Sequence, residues 1–281
     1  MMSRTWVDKS VASVENAVFR SLLECLTTKG VKKHGLFFAS GEKAVTDILE
    51  RHPERVRDLI VCTDLHLDTS GRDPKPKLTS VERLIARFRD LPSKEVRPSV
   101  LAFTKPLFDQ LDVFGTHAPL LALSAWDLPQ ADLTSEPVGL ELLCALGDPS
   151  NLGALIRSAA AFKASKVILL KESASPFHSR AVRAASAATF EVPLARGPSI
   201  NEVTALAEGS PLPYLALDMF GEKLPGFDWP KSARLLLGEE GRGVPEGNWQ
   251  TISIPIAGVE SLNATVAASI ALYSYRTCYP F

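Results

Sequence analysis

Leu235-Leu236-Leu237-Gly238-Glu239-Glu240-Gly241-Arg242-Gly243 decides the fold: a short apolar run gives way at once to three glycines and two carboxylates. A short apolar run closed by turn residues reads as a buried strand. Open α/β sheets take their ligands at the carboxyl ends of such strands. The glycines serve either a bare turn or a close approach of backbone to a flat ligand. The spacing is not the dinucleotide pattern G-x-G-x-x-G, and no Gly-Lys-Ser/Thr follows, which speaks against nicotinamide and P-loop nucleotide binding.

Working outward, strand-like runs at Leu140 to Leu146, Val167 to Leu170, Tyr214 to Leu217 and Ile252 to Ile256 alternate with helical patterns. That alternation predicts an α/β domain with a largely parallel sheet. A smaller α/β unit precedes it. Its strands are expected at Leu36 to Ala39, Asp58 to Thr63, Val100 to Phe103 and Leu120 to Leu123. Its helices are expected at Gly41 to Arg51, with Ala44, Val45, Ile48 and Leu49 on one face, and at Ser80 to Arg89, capped by Ser80. Asp64 to Leu78, rich in Asp, Gly, Lys and Pro, reads as an exposed loop. Ala125 to Pro137 reads as the linker, so domains of 1–130 and 131–281 are expected.

Two further loops carry polar residues into helices. Gly147-Asp148-Pro149-Ser150-Asn151-Leu152-Gly153 enters a helix in which Leu155, Ile156, Ala159 and Phe162 are apolar and Arg157 lies about one turn in. Asn151 or Ser150 is either a plain helix cap beside a solvated arginine, or part of an anion-holding corner with a guanidinium aimed at phosphate. Ile254-Pro255-Ile256-Ala257-Gly258-Val259-Glu260-Ser261-Leu262-Asn263 leads into a helix expected to run to about Tyr275. Ser261 reads as its cap and Asn263 falls in its first turn. Ala264, Ala267, Ala268 and Ala271 suit either a tight subunit contact or an ordinary buried helix.

Composition narrows the class. The chain has 281 residues, 46% hydrophobic and 22% charged, with a formal charge of -1 and a pI near 6.5. It lacks the general basic excess of many nucleic-acid binders. Residues 1–130 hold 19 Lys+Arg against 17 Asp+Glu, leaving 12 against 15 for the rest, so basic surface is local. Lys29, Lys32, Lys33 and His34 are its first candidate. No apolar run approaches the roughly 18 to 20 residues that span a bilayer, and Met1 to Ser10 has no signal core, so a cytoplasmic protein is expected. Cys25, Cys62, Cys144 and Cys278 stand far apart in or beside apolar stretches, which suggests neither disulfides nor a metal site.

The order of the three loops, with Phe177-His178-Ser179-Arg180-Ala181-Val182-Arg183-Ala184-Ala185-Ser186 between them, resembles the TrmH/SpoU methyltransferase family of the SPOUT superfamily along residues 138–277. Asn151 and Arg157 look like its first motif, Gly238, Glu240 and Gly241 its second, and Ser261, Leu262 and Asn263 its third. The stretch Lys33 to Val45 looks like its RNA-binding substrate domain. Ala187-Ala188-Thr189 departs from it where relatives often carry glycine.

The resemblance implies a trefoil-knotted domain and transfer of a methyl group from S-adenosylmethionine to a ribose 2′-hydroxyl of tRNA or rRNA. It also implies a homodimer built on the Ser261 to Tyr275 helix, while the lack of a His/Cys ligand cluster leads to the expectation of no metal. Leu237, Gly238, Gly241, Ile254, Ile256 and Leu262 would hold the cofactor. Asn151, Arg157, Glu240, Ser261 and Asn263 would surround the reacting centre. A guanidinium resists deprotonation, so Arg157 is expected to anchor phosphate and stabilise an alkoxide rather than act as base. Aromatics are sparse near the motifs, which favours ribose over base as the acceptor.

Overall fold

The computed structural model describes residues 7–63, 80–91 and 98–281. The loop read over 64–78 and the side chain of Ser80 lie outside them. The chain divides into two compact units, Met1–Trp126 with Phe177–Ser179, and Asp127–Pro176 with Arg180–Phe281.

The first unit contains β1 (Lys9–Val11), α1 (Ala17–Glu24), α2 (Thr28–His34), β2 (Leu36–Ser40), α3 (Glu42–Arg51), β3 (Val56–Cys62), α4 (Ser80–Arg89), β4 (Ser99–Phe103), α5 (Lys105–Leu111) and β5 (Leu120–Ser124). Its sheet runs β1-β4-β3-β5-β2. The pairs β1/β4 and β4/β3 are parallel, whereas β3/β5 and β5/β2 are antiparallel. Phe19, Leu22, Phe103, Phe108 and Leu111 close one face of it. The amphipathic spacing of α3 buries Val45, Ile48 and Leu49, as its sequence predicts. Sequence reading left out β1, α1, α2 and α5, which are short or broken by Thr27, Gly30 and Pro106.

The second unit contains β6 (Leu140–Cys144), α6 (Pro149–Ala161), β7 (Lys166–Leu169), α7 (Ser179–Ala185), β8 (Leu194–Arg196), α8 (Ile200–Glu208), β9 (Tyr214–Lys223), β10 (Ala233–Leu237), β11 (Gln250–Ser253) and α9 (Ala264–Cys278). Its six strands run β11-β9-β10-β6-β7-β8, and every neighbouring pair is parallel. Helices covering both faces explain why β6 and β10 are buried at every position, so their sequences read as continuous apolar runs.

The exceptions inside these strands are register neighbours, Glu141 and Arg234. Arg234 Nε donates to Glu141 at 3.0 Å, and its terminal nitrogens donate to the carbonyls of Leu133 (2.9 Å) and Ser135 (2.7 Å). This explains the fate of the expected linker. Ala131 N–H and Arg196 N–H donate to the Arg196 and Pro129 carbonyls at 2.8 Å each, so residues 129–135 are pinned to the second sheet rather than free.

Several element boundaries differ from the sequence reading: β11 (Gln250–Ser253) lies earlier than the expected Ile252 to Ile256, and two others bear on the site. β9 runs past Leu217 to Lys223 because five residues, 217–221, bulge out of the ladder: Thr251 pairs with Ala216, but Ile252 pairs with Glu222. α9 starts at Ala264, three residues beyond Ser261.

Candidate functional site

Because the strands of the second unit are parallel, the loops that leave β6, β10 and β11 emerge on one edge of the sheet. The first enters α6, whose cap is Asp148 and neither Ser150 nor Asn151. Asp148 has extended backbone, and its carboxylate accepts from Ser150 N–H (2.8 Å) and Asn151 N–H (3.1 Å). Pro149 occupies the first helical position, where its missing N–H costs nothing. Similarly α9 is capped by Asn263 rather than Ser261: Asn263 Oδ1 accepts from Thr265 N–H at 2.9 Å and Val266 N–H at 3.3 Å. Both caps free the residues that had been read as caps.

A relay of hydrogen bonds joins the three loops. With Asn263 Oδ1 occupied by its helix, Asn263 Nδ2 is the atom left to donate, and it meets Asn151 Oδ1 at 3.2 Å. Asn151 therefore turns its own Nδ2 outward, donating to Glu240 Oε1 at 2.7 Å. Glu240 is an acceptor at both oxygens, and Oε2 takes Asp148 N–H at 3.1 Å. The chain of donors fixes both amide orientations without reference to a ligand. Thr265 Oγ1 donates to the Asn151 carbonyl at 3.0 Å and locks α9 to the start of α6. Asp148 in turn faces Arg180 at 3.3 Å. The Asn151 and Ser150 amides, aided by Arg180, hold its carboxyl below the usual carboxylate range.

The glycines of the second loop have separate jobs. Glu239 and Gly243 exchange backbone hydrogen bonds at 3.0 and 2.8 Å, folding the loop back on itself. A Cβ on Gly238 would lie 2.2 Å from the Gly243 carbonyl oxygen, so that glycine admits the loop's own backbone. Gly241 and Gly243 have φ of 83° and 74° and make the turn. Glu240 stands at its tip. Of the two readings of this loop, the turn accounts for all three glycines.

The remaining expected site residues are placed as follows. Leu237 is buried at the end of β10, Ile254 and Leu262 are half-buried, and Ile256 and Ser261 are exposed. No backbone group of residues 256–262 bonds to a described residue, leaving that loop's amides and carbonyls available to a ligand. Arg157 is exposed, and its side chain makes no hydrogen bond or ion pair with any described residue. The relay thus unites Asn151, Glu240 and Asn263, while Arg157 and Ser261 stand outside it. Asp148 and Thr265 were missed, though an Asp before a helix-starting Pro is a recognisable cap signal.

The other expectations meet the structure as follows. Ala268 and Ala271 are fully buried in the chain's own core, where α9 packs on α6, so they are not surface for a second subunit. The apolar stripe that α9 leaves open is Val266, Ile270 and Tyr273. In the basic run, Lys33 and His34 each meet Glu24 at 2.7 Å; the Lys33 and then the His34 hydrogen bond push that carboxyl down to about 2. Of that run, the Lys29 and Lys32 side chains have no partner among the described residues. Ala187-Ala188-Thr189 lies in a 3-10 turn entered through Ser186 at φ 57°, so the left-handed residue is a serine. Cys25, Cys62 and Cys144 are buried and Cys278 is exposed, all four as free thiols. Among the described residues no helix is long and apolar enough to cross a membrane.

Residues 142–273 match the SpoU rRNA Methylase family. A 23S rRNA (uridine(2479)-2′-O)-methyltransferase of Streptomyces viridochromogenes is 32% identical over 64% of this chain and 68% of its own length. The Ribosomal RNA small subunit methyltransferase G 2 of Syntrophobacter fumaroxidans is 35% identical over 95% of this chain and 49% of its own length. The chain spans about half the length of several such curated relatives. The fold is shared with an AdoMet-bound rRNA methyltransferase from Sinorhizobium meliloti, with a TM-score of 0.74, 24% identity and coverage of 98% and 100% of the two chains.

Proposed function

The chain belongs to the SpoU rRNA methylase family, and from that premise we propose that it is an RNA methyltransferase that moves a methyl group from S-adenosylmethionine to a ribose 2′-hydroxyl. The observation that carries the reading is the relay Glu240–Asn151–Asn263, which ties three loops into one constellation at the carboxyl edge of a parallel sheet. The residues fit the cofactor. Leu237, Gly238, Gly241, Ile254, Ile256 and Leu262 would hold it, and the backbone amides and carbonyls of residues 256–262, which bond to no described residue, are available to it.

When bound, S-adenosylmethionine supplies an electrophilic methyl on a sulfonium. The chain's own residues then have to place the ribose oxygen in line and stabilise the charge that develops on it. Arg157, exposed on α6 and about two turns from its start rather than the one expected, anchors a substrate phosphate and favours the alkoxide. Asn151, Asn263 and Ser261 orient the sugar. Glu240, tethered by two hydrogen bonds, holds Asn151 and the start of α6 in place. The proton acceptor is left unassigned.

Residues 1–130 serve as the RNA-binding domain, with ribosomal RNA ahead of transfer RNA as substrate, and residues 131–281 as the knotted methyltransferase domain. The insertion of β10 between β6 and β9 supports the trefoil assignment. A cytoplasmic homodimer completes the reading, with the stripe Val266, Ile270 and Tyr273 as its contact. Sedimentation is expected to give about twice 30.5 kDa; an active monomer at all concentrations would overturn the dimer.

The decisive test uses cofactor carrying a radioactive methyl, RNA from cells lacking the gene, and alkaline digestion. A methylated ribose cannot attack its neighbouring phosphate, so label is expected in alkali-resistant dinucleotides. Label confined to mononucleotides would mean a methylated base and sink the 2′-O assignment.

A further inference from the structure

The bulge in β9 is not absorbed by the reading above. In the β9/β10 register Arg234, Leu235 and Leu236 face Tyr214, Leu215 and Ala216. Continuing it puts residues 217–221 level with Leu237 and the Gly238 loop. On its other side β9 pairs with β11, which ends at Ser253 and feeds the Ile254 loop. The bulge therefore stands between two of the three loops, on the same edge of the sheet.

Its tip is apolar and open: Phe220 is 89% exposed and Met219 58%. The tip is also pinned. Phe220 N–H donates to Asp218 Oδ1 at 2.9 Å, and Ser253 Oγ donates to the Gly221 carbonyl at 2.7 Å. Gly221 lies so close to β11 that a Cβ there would be 2.4 Å from the Thr251 carbonyl carbon. Singly exposed apolar residues are common and need no explanation. A phenylalanine almost wholly in solvent, on a fixed turn, flanking a constellation that must receive a nucleotide, is a different matter.

We propose that Phe220 is a stacking platform for a nucleobase of the RNA substrate, with Met219 supporting its edge. The proposal rests on the methyltransferase reading: a ribose brought to the relay carries its base and its neighbours to the flanking loops. Every base offers a π-face, so one aromatic ring grips RNA without reading sequence. The adenine of the cofactor is the competing occupant. Exposure argues against it, since a ring that lines a small-molecule site is enclosed by that site.

The test compares the wild type with Phe220→Ala, Phe220→Leu and Phe220→Trp, using tritiated cofactor and RNA from cells lacking the gene. Cofactor affinity is read separately by calorimetry, and folding by thermal unfolding. Phe220→Ala is expected to raise the half-saturating RNA concentration roughly 5- to 150-fold, the range for one base on an aromatic ring. Cofactor affinity and Tm should stay unchanged. Trp should restore RNA binding and Leu should not, because Leu keeps apolar area but has no ring. Equal rescue by Leu, loss of cofactor affinity, or no change in RNA affinity would each overturn the proposal. If the wild type itself labels no RNA, the methyltransferase reading fails with it; an active wild type with indifferent variants fails the platform alone.

Discussion

Asp148 accepts two amides at the start of α6 and faces the Arg180 guanidinium, and all three contacts favour its charged form. Its carboxyl is accordingly held below the ordinary carboxylate value. A group whose folded pKa is depressed contributes stability that is present above its unfolded pKa, about 3.9, and lost as pH falls through the folded one. Asp148→Ala is therefore expected to cost about 1 kcal/mol near neutral pH by chemical denaturation, the usual worth of such a cap. The gap between wild type and variant should be flat from pH 7 to 5 and shrink below about pH 4. A gap that stayed constant to pH 2 would show that charge has no part in it. The same residue shows what sequence reading cannot resolve. Several polar residues compete to cap α6 and α9, and the winner is set by the non-helical backbone angles that Asp148 and Asn263 adopt where the folded chain enters each helix.

At the scale of elements, Gly153 is where α7 crosses α6. An added Cβ would lie 2.2 Å from the Ala181 carbonyl oxygen and 2.8 Å from Ala184 Cβ, so backbone rather than a yielding side chain stands in the way. Helix propensity alone would make Gly153→Ala stabilising by about 1 kcal/mol. The overlap instead predicts a net loss of about 1–3 kcal/mol as α7 is displaced, visible as a lowered Tm. A raised Tm would mean that the helices separate freely. Strands such as β6, β7 and β10 were legible because burial on both faces demands continuous apolar runs. The site loops were legible because Gly, Asp and Asn cluster at strand ends. What escaped was whatever depends on partners distant in the chain: nothing in the sequence pairs Arg234 with Glu141, and Ala268 and Ala271 suit a subunit contact as well as a buried helix until α6 covers them. Phe220 escaped because the apolar run from Tyr214 reads as ending at Leu217, with nothing to show that the strand resumes at Glu222 beyond the residues that β11 skips.

For the whole molecule, the ion pair of Arg234 and Glu141 fixes the sheet to the segment that enters it. Both side chains are almost fully buried, and Lys166 is the other cation near Glu141, at 3.4 Å. Arg234→Met would strand a buried carboxylate and release the Leu133 and Ser135 carbonyls, with an expected loss of about 3–5 kcal/mol by chemical denaturation. Combining it with Glu141→Leu should recover a large part of that loss, because the uncompensated charge disappears. No recovery would show that the carbonyl contacts, and not the carboxylate, set the cost.

The position of β10 between β6 and β9 also has a consequence on the ribosome. Glu141 and Arg234 are 93 residues apart in the chain. At synthesis rates of about 5–20 residues per second, the apolar edge of β6 waits roughly 5–20 s for the strand that covers it. Local pairing cannot shorten that interval, since β7 covers only the opposite edge. The nascent second unit thus passes through a stage in which Leu140, Leu142 and Leu143 present an unpaired strand, and shielding by chaperones matters most before Leu237 has emerged.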